Sequence, residues 1–284
     1  MFSKLIFRQI QDGILIENVN NFDLSQTLDC GQCFRWIKTS DNSYQGIAYG
    51  KVLNIRQEKN NIILKNTNKE DFNNIWKYYL DLDTDYSEIW KTLSNVHPFL
   101  SDAYNYCPGI RILNQEPWET LCSFIISQNN NIPRIKKIIS KMCELFGDKI
   151  PNSENCFSFP SAKTLAKLSE NDLSPIKCGF RAKYILDAAN KITNQEISLE
   201  TIKNISIYDA EETLKKIKGV GPKVAQCTLL YGFHRLEAFP MDVWMKKIME
   251  TYFQGKSPDL FGKYAGIAQQ YLYHYSRMNA DKLF

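Results

Sequence analysis

The chain has 284 residues, of which 44% are hydrophobic and 23% charged, with only 10 Pro and 13 Gly. This length and composition predict a globular protein of one large domain or two to three modest ones, and they exclude collagen-like, mucin-like and mostly disordered chains. The net charge of +4 permits an anionic partner without requiring one.

The sequence predicts neither a membrane span nor an export signal. No apolar run reaches the length of a transmembrane helix, and Lys4 and Arg8 interrupt the start of the chain too early for a signal-peptide core. We therefore expect a soluble, intracellular and cytoplasmic protein whose eight cysteines are reduced.

Cysteine spacing indicates no metal site. Cys30 and Cys33 form the closest pair, but no second Cys or His pair stands at zinc spacing. No Cys follows Cys227, which excludes a C-terminal four-Cys iron-sulfur cluster. We expect neither a metal nor another cofactor.

In chain order, the hydrophobic period changes from that of strands to that of helices. Up to about residue 66, short β-rich runs are separated by turn-forming segments, which predicts an antiparallel meander. These runs are residues 34–37, 44–48, 52–55 and 62–64. From Asp71 onward the spacing is helical, and Asp85 with Glu88 forms a capping-box pattern at a helix start.

The predicted fold class is therefore α+β, with an N-terminal antiparallel β-rich domain packed on a mostly α-helical domain. We expect residues 1–110 to form the first domain and residues 111–284 to form the second.

The segment Gly219-Val220-Gly221-Pro222 predicts a tight helix-hairpin-helix turn, because Gly adopts the positive φ of a turn and Pro suits a first helical turn. Backbone N–H groups at such a helix N-terminus bind phosphate without reading base sequence. A plain αα-hairpin without a ligand is the alternative that this segment leaves open.

Lys223 directly follows that turn, where the helix dipole disfavours positive charge and makes a neutral, nucleophilic amine more accessible. A lysine that only contacts phosphate fits the local sequence equally well. Downstream, Asp242 in Pro240-Met241-Asp242 stands at the predicted N-cap of a helix and supplies a carboxylate. An N-cap Asp alone is usually only a cap, so the chemistry depends on the two residues together.

Gly219 to Lys223, followed by Pro240-Met241-Asp242, resembles the helix-hairpin-helix superfamily of base-excision DNA glycosylases in both residue type and spacing. Within that superfamily, Lys at this position is typical of the bifunctional glycosylase/AP lyases. Endonuclease III shares the Lys and the Asp, but the ligands of its iron-sulfur cluster are absent from this sequence.

Nearly the whole chain resembles the 8-oxoguanine DNA glycosylases. Four segments in the family's order carry the likeness, namely residues 30–36 (CGQCFRW), 127–134 (SQNNNIPR), 179–184 (GFRAKY) and 264–269 (YAGIAQ). The resemblance implies a target base swung out of the duplex into a pocket between the two domains. It also implies that the partner is double-stranded DNA containing oxidised guanine, bound by a monomer at the nucleoid.

The resemblance implies a base pocket formed by Gly31, Cys227, Gln269 and Tyr273. The Gly31 carbonyl would meet N7 of the base, where 8-oxoguanine has an N–H donor and guanine a lone pair. Gln269 would contact the Watson–Crick edge, while Tyr273 and Cys227 would form the two walls. Without the family likeness, Gly31 reads as a turn glycine and the other three as core packing.

The family uses the positions of Asn129, Arg134, Phe180 and Arg181 to fill the vacated space in the duplex and to read the base left behind. Arginines only donate hydrogen bonds, so they suit the N3 and O2 acceptors of cytosine and predict a preference for the lesion opposite C. A solvated or phosphate-binding face is the alternative for Arg134 and Arg181. The hairpin residues Gly219, Val220 and Gly221 would bind DNA phosphate.

This chain departs from the pattern of eukaryotic members at three positions, which hold Trp244, Phe180 and Tyr273 instead of His, Tyr and Phe. The change at Trp244 puts one phosphate contact in doubt, and the hydroxyl of Tyr273 can alter tolerance for other oxidised purines.

The implied activity is excision of 8-oxoguanine by Lys223 with help from Asp242, followed by AP lyase cleavage. An endonuclease III-like glycosylase/lyase for oxidised pyrimidines and a non-catalytic helix-hairpin-helix DNA-binding protein remain the alternatives.

Overall fold

The computed structural model describes residues 5–283. Outside this range lie residues 1–4, which include Lys4, and residue 284. They are the outer ends of the two predicted domains. Within it, no helix is both long and apolar enough to cross a membrane.

An antiparallel sheet of six strands forms the N-terminal part, in the order β1-β2-β6-β5-β4-β3. The strands are β1 (Ile6–Ile10), β2 (Gly13–Glu17), β3 (Trp36–Lys38), β4 (Tyr44–Ala48), β5 (Lys51–Glu58) and β6 (Asn61–Lys65). The four predicted β-rich runs lie in or overlap β3 to β6, while β1 and β2 add a hairpin that pairs with β6. Alternate residues such as Leu53, Ile55, Ile62 and Leu64 are buried on one face of the sheet.

Fifteen α-helices occur within the described residues. They are α1 (Leu24–Asp29), α2 (Lys69–Asp71), α3 (Lys77–Tyr79), α4 (Tyr86–Leu93), α5 (Pro98–Tyr106), α6 (Pro117–Ser127), α7 (Ile132–Phe146), α8 (Ala162–Leu165), α9 (Ala182–Thr193), α10 (Leu199–Asn204), α11 (Ile207–Lys215), α12 (Pro222–Gly232), α13 (Val243–Phe253), α14 (Ala265–Met278) and α15 (Ala280–Leu283). A π-helical turn, Phe72–Trp76, joins α2 to α3. As predicted, Asp85 caps α4 by accepting from the backbone N–H groups of Ser87 and Glu88.

The α+β prediction is confirmed. One hydrophobic cluster lies under the sheet, and a larger one fills the helical part. The helical cluster also takes in Cys30 and Phe34, which precede β3, and side chains of α4 and α5. The two parts of the chain are therefore packed together, and the boundary at residue 110 stays a prediction.

Two buried side chains, Gln32 and Arg111, connect the segment that leads into α6 with earlier parts of the chain. The Gln32 amide donates to the carbonyls of Thr27 and Arg111, at 2.9 and 2.8 Å, and accepts from the N–H of Leu113. Arg111 donates to the carbonyls of Asn20, Asn21, Asp81 and Thr84. Because buried donors and acceptors need partners, the Gln32 bonds fix the loop that carries Gly31, and the Arg111 bonds hold the segment before α6 to residues 20–21 and to Asp81 and Thr84.

Candidate active site

A cavity of about 390 Å³ opens between the Gly31 loop and helices α6, α7, α12 and α14. Its lining includes every residue predicted for catalysis and for base recognition. These are Lys223, Asp242, Gly31, Cys227, Gln269 and Tyr273. The chain thus brings together residues that are more than 200 positions apart in the sequence.

Lys223 is the second residue of α12, which has Gly221 as its N-cap and Pro222 in its first turn. The side chain is half-buried, and its Nζ donates to Ser127 Oγ at 3.3 Å. The same Nζ lies 5.2 Å from the centre of the Phe124 ring. Both partners come from α6, so the amine is held inside the cavity rather than extended into solvent.

Asp242 is the N-cap of α13, as predicted, and accepts a 2.8 Å hydrogen bond from the N–H of Met245. Capping fixes the carboxylate at the end of a helix while it still lines the cavity that contains Lys223. The site therefore combines an amine and a carboxylate, which can act as nucleophile and as acceptor of its proton.

Gln269 and Tyr273 lie one turn apart on α14 and face the same cavity. The buried Gln269 amide donates to the Pro240 carbonyl at 3.3 Å, and its oxygen lies 3.5 Å from the Tyr231 hydroxyl. Burial raises the pKa of the Tyr273 phenol, which keeps this wall of the pocket uncharged at neutral pH.

Cys227, one turn after Lys223, forms another part of the wall. Burial raises the pKa of its thiol to about 11, while the charge of Lys223 opposes that shift. The thiol is therefore protonated at neutral pH and offers a packing surface rather than a nucleophile.

Gly31 has a φ of +92°, a conformation that favours glycine. The peptide before it is held by a buried relay, in which the Tyr231 hydroxyl donates to Gln270 and the Gln270 amide donates to the Cys30 carbonyl at 3.3 Å. Within residues 5–283, no donor forms a hydrogen bond to the Gly31 carbonyl itself. That carbonyl remains available to a ligand in the cavity.

The residues predicted to read the opposite strand lie outside the cavity lining. Asn129 is exposed and has a φ of +47°, and Phe180 exposes 49% of its surface. The exposed Arg134 makes one long contact, 3.4 Å from its Nη2 to the Lys177 carbonyl. These side chains are accessible to a DNA duplex.

Arg181 is placed differently, because only 2% of it is exposed. Its guanidinium donates to the carbonyls of Gln128, Asn129 and Cys178 and lies 4.4 Å from the centre of the Phe180 ring. In this conformation Arg181 shapes the turn that presents Asn129, and its role as a reader of cytosine stays a prediction.

The predicted hairpin joins α11 to α12. Gly219 has a φ of +75°, and a Cβ there would lie 2.3 Å from the Tyr184 ring. Gly221 has open space around it, and Val220 is buried. The turn thus requires glycine at one position for backbone conformation and packing, and the following helix begins with Lys223 in its first turn.

Comparison with known proteins identifies the family. Residues 14–121 match the N-terminal domain of 8-oxoguanine DNA glycosylase, and residues 122–260 match the HhH-GPD superfamily of base excision DNA repair proteins. The N-glycosylase/DNA lyase of Saccharomyces cerevisiae is 34% identical over 273 residues, covering 85% of this chain and 71% of the yeast protein. The chain belongs to the 8-oxoguanine DNA glycosylase family.

Solved structures agree with that assignment. The 8-oxoguanine glycosylase/lyase of Clostridium acetobutylicum, in complex with double-stranded DNA containing cytosine opposite to 8-oxoG, is 39% identical with a TM-score of 0.91. That alignment covers 98% of this glycosylase and 100% of the clostridial chain. A 3-methyladenine DNA-glycosylase from Archaeoglobus fulgidus shares the fold alone, at 19% identity and a TM-score of 0.67, covering 96% of this chain and 99% of the archaeal one.

Sequence reasoning missed several residues of the glycosylase site. Ser127 and Phe124 hold the Lys223 amine, Tyr231 and Gln270 hold the Gly31 loop, and Arg277 lines the cavity. Helical spacing offered a signal for Arg277, which follows Tyr273 by one turn. No comparable signal existed for Ser127, because its contact with Lys223 joins residues 96 positions apart.

Proposed function

We propose that this chain is a bifunctional glycosylase/AP lyase that flips 8-oxoguanine out of duplex DNA, removes it and cleaves the strand. The observation that carries the proposal is one cavity that holds Lys223 and Asp242 beside Gly31, Cys227, Gln269 and Tyr273. The protein would act inside the cell, in the cytoplasm at the nucleoid.

Base recognition would depend on the Gly31 carbonyl, which accepts the N7–H of 8-oxoguanine and repels the N7 lone pair of guanine. A mispaired buried polar contact costs about 1 to 3 kcal/mol, so this carbonyl contributes discrimination but needs support from the rest of the pocket. Gln269 would contact the Watson–Crick edge, and the base would stack between Tyr273 and Cys227.

Excision begins when the neutral amine of Lys223 bonds to C1′ and the bond from C1′ to N9 breaks. The electron pair leaves with the base, which takes up a proton, while Asp242 stabilises the positive charge that develops on the sugar and accepts the proton of the amine. Opening of the sugar ring then gives an imine between Lys223 and C1′.

The imine makes the C2′ hydrogen acidic, so loss of that proton breaks the bond between C3′ and its oxygen. This β-elimination cleaves the strand 3′ to the lesion, and water then hydrolyses the imine to release the amine. The reaction needs no redox step.

DNA would be held by the hairpin at Gly219, Val220 and Gly221, where the N–H groups of the two glycines would bind phosphate while that of Val220 donates to the Ile217 carbonyl. Asn129 and Phe180 would occupy the gap left by the flipped base. Arg134 would face the orphaned cytosine, and Arg181 would do so after releasing the backbone carbonyls that it binds, which favours the lesion opposite C.

A substrate panel tests the proposal. We would measure base release and strand cleavage with duplexes that contain 8-oxoguanine opposite C, thymine glycol opposite A, or undamaged guanine. We expect release from the first duplex only. Release of thymine glycol alone would indicate an endonuclease III-like activity, and salt-sensitive binding without release would indicate a non-catalytic DNA-binding protein.

A further inference from the structure

Arg277 lies in the last turn of α14, on the face that carries Gln269 and Tyr273. It lines the cavity, and its Nη1 lies 3.7 Å from the point where a Cβ on Gly31 would be. The Cε1 atom of Tyr273 lies 3.9 Å from the same point. The guanidinium and the stacking ring therefore both stand next to Gly31.

The guanidinium of Arg277 differs from those of two other arginines of the protein in its hydrogen bonds and ion pairs. Over residues 5–283 it makes neither a hydrogen bond nor an ion pair, whereas Arg35 pairs with Glu119 and Arg181 donates to three carbonyls. A guanidinium is always charged and can only donate. The Arg277 side chain is exposed where it lines the cavity, so its donors are free to bind a ligand that enters the cavity and presents acceptors there.

The oxidised purine presents such acceptors next to the contact proposed for Gly31. On its Hoogsteen edge, O6 and O8 flank the N7–H group, so donors beside the Gly31 carbonyl match both neighbours of N7. Guanine shares O6 but has a C–H group in place of O8. A donor at O8 therefore adds to the discrimination that one carbonyl supplies.

We propose that Arg277 is a specificity-determining residue that donates hydrogen bonds to the Hoogsteen-edge carbonyl oxygens of the flipped base, O8 above all. This inference rests on the proposed function, because it deepens the base recognition of the same pocket. A DNA phosphate is the other acceptor within the same chemistry, and the test separates the two sources.

The test compares single-turnover excision of 8-oxoguanine opposite C with cleavage of a preformed abasic site, which has no base to recognise. We expect Arg277→Leu to slow excision about tenfold or more, as loss of a charged hydrogen bond does, and to change abasic-site cleavage less than about twofold. Arg277→Lys keeps the charge but loses the planar fork of the guanidinium. Its excision rate should therefore lie between those of the wild type and Arg277→Leu.

Arg8→Leu is the matched control, because it removes the same charge from an exposed side chain on β1. Equal losses on both substrates in Arg277→Leu would indicate a phosphate contact and overturn the proposal, as would unchanged rates on both. Wild-type protein that releases no 8-oxoguanine would refute the proposed function, and this inference with it. If the wild type releases 8-oxoguanine and Arg277→Leu releases it at the same rate, the role of Arg277 is refuted while the proposed function stands.

Discussion

Two residues with ionisable groups form neutral walls of the cavity that we propose as the base pocket. Burial raises the pKa of Tyr273 and brings that of Cys227 to about 11, so both stay protonated at neutral pH. A neutral wall suits stacking of a flat base, whereas an anionic phenolate or thiolate would be repelled by the nearby DNA phosphates.

Tyr273 should act through its ring rather than through its hydroxyl. We expect Tyr273→Ala to slow 8-oxoguanine excision about tenfold or more, because stacking of a base on an aromatic ring stabilises it by about 1 to 3 kcal/mol. Tyr273→Phe should retain most of the rate. Since burial raises the pKa of the phenol and so favours its neutral form, the alkaline limb of the pH-rate profile should coincide for the wild type and Tyr273→Phe.

A shift of that alkaline limb in Tyr273→Phe would show that the phenol ionises within the active range. Excision by Tyr273→Ala at the wild-type rate would show that Tyr273 does not stack on the flipped base.

The residues predicted for catalysis and for the base pocket all line the cavity. Lys223 and Asp242 follow from local motifs, whereas Gly31, Cys227, Gln269 and Tyr273 were predicted from the resemblance to the 8-oxoguanine DNA glycosylases. Arg181 shows what motifs leave out. Its three carbonyl acceptors come from a turn about fifty residues away and from its own helix start, and only the folded chain shows them.

Among the elements, the hairpin between α11 and α12 shows how local sequence fixes a turn. Gly219 adopts a positive φ and packs against the ring of Tyr184, whereas Gly221 has an ordinary φ of −98° and no atom within 4 Å of the point where a Cβ would be. The two glycines look alike in the sequence but differ in what the fold requires.

Alanine substitutions should separate these two glycines. Gly219→Ala places a methyl group against the Tyr184 ring in a strained conformation and should lower the free energy of unfolding by about 1 to 3 kcal/mol. Gly221→Ala is the matched control and should change it by less than about 1 kcal/mol. Urea denaturation of both variants measures the difference, and equal effects would contradict the structural distinction.

The strands show the same division between local and distant information. Residues 44–48 and 62–64 are β-rich runs between turn-forming segments, which predicts strands, and burial alternates along both strands in the structure. The edge strand β1 has no such alternation, because it is mostly exposed and pairs only with β2. Its conformation depends on that neighbour, so it could not be predicted from its own residues.

In the whole molecule, the cavity depends on how the loop before β3 packs on the helical part, because Cys30 and Phe34 of that loop belong to the helical cluster. Gly31 comes from the loop before the sheet strand β3, whereas Lys223 comes from the helical part. Gln32 ties that loop to the Arg111 carbonyl, and the Arg111 guanidinium in turn holds its own segment to the carbonyls of Asn20 and Asp81. The distance between Lys223 and Gly31 therefore depends on this junction.

Replacement of Arg111 tests that junction. Arg111→Met preserves much of the volume but leaves four carbonyls without their donor, and it should lower the free energy of unfolding by about 2 to 4 kcal/mol. The exposed Arg8 pairs with Glu17 at 3.5 Å, and Arg8→Met should change stability by less than about 0.5 kcal/mol. Chemical denaturation compares them, and similar effects would contradict the role of the junction.

The proposed chemistry requires an imine between Lys223 and the sugar of an excised 8-oxoguanine. Borohydride trapping with a duplex that carries 8-oxoguanine opposite C detects that imine as a covalent adduct. We expect a covalent protein–DNA adduct with the wild type and with Lys141→Gln, an exposed lysine that pairs with Glu144, and none with Lys223→Gln. Imine formation at Lys223 would be contradicted by an adduct that persists in Lys223→Gln, or by wild-type base release without any trapped adduct.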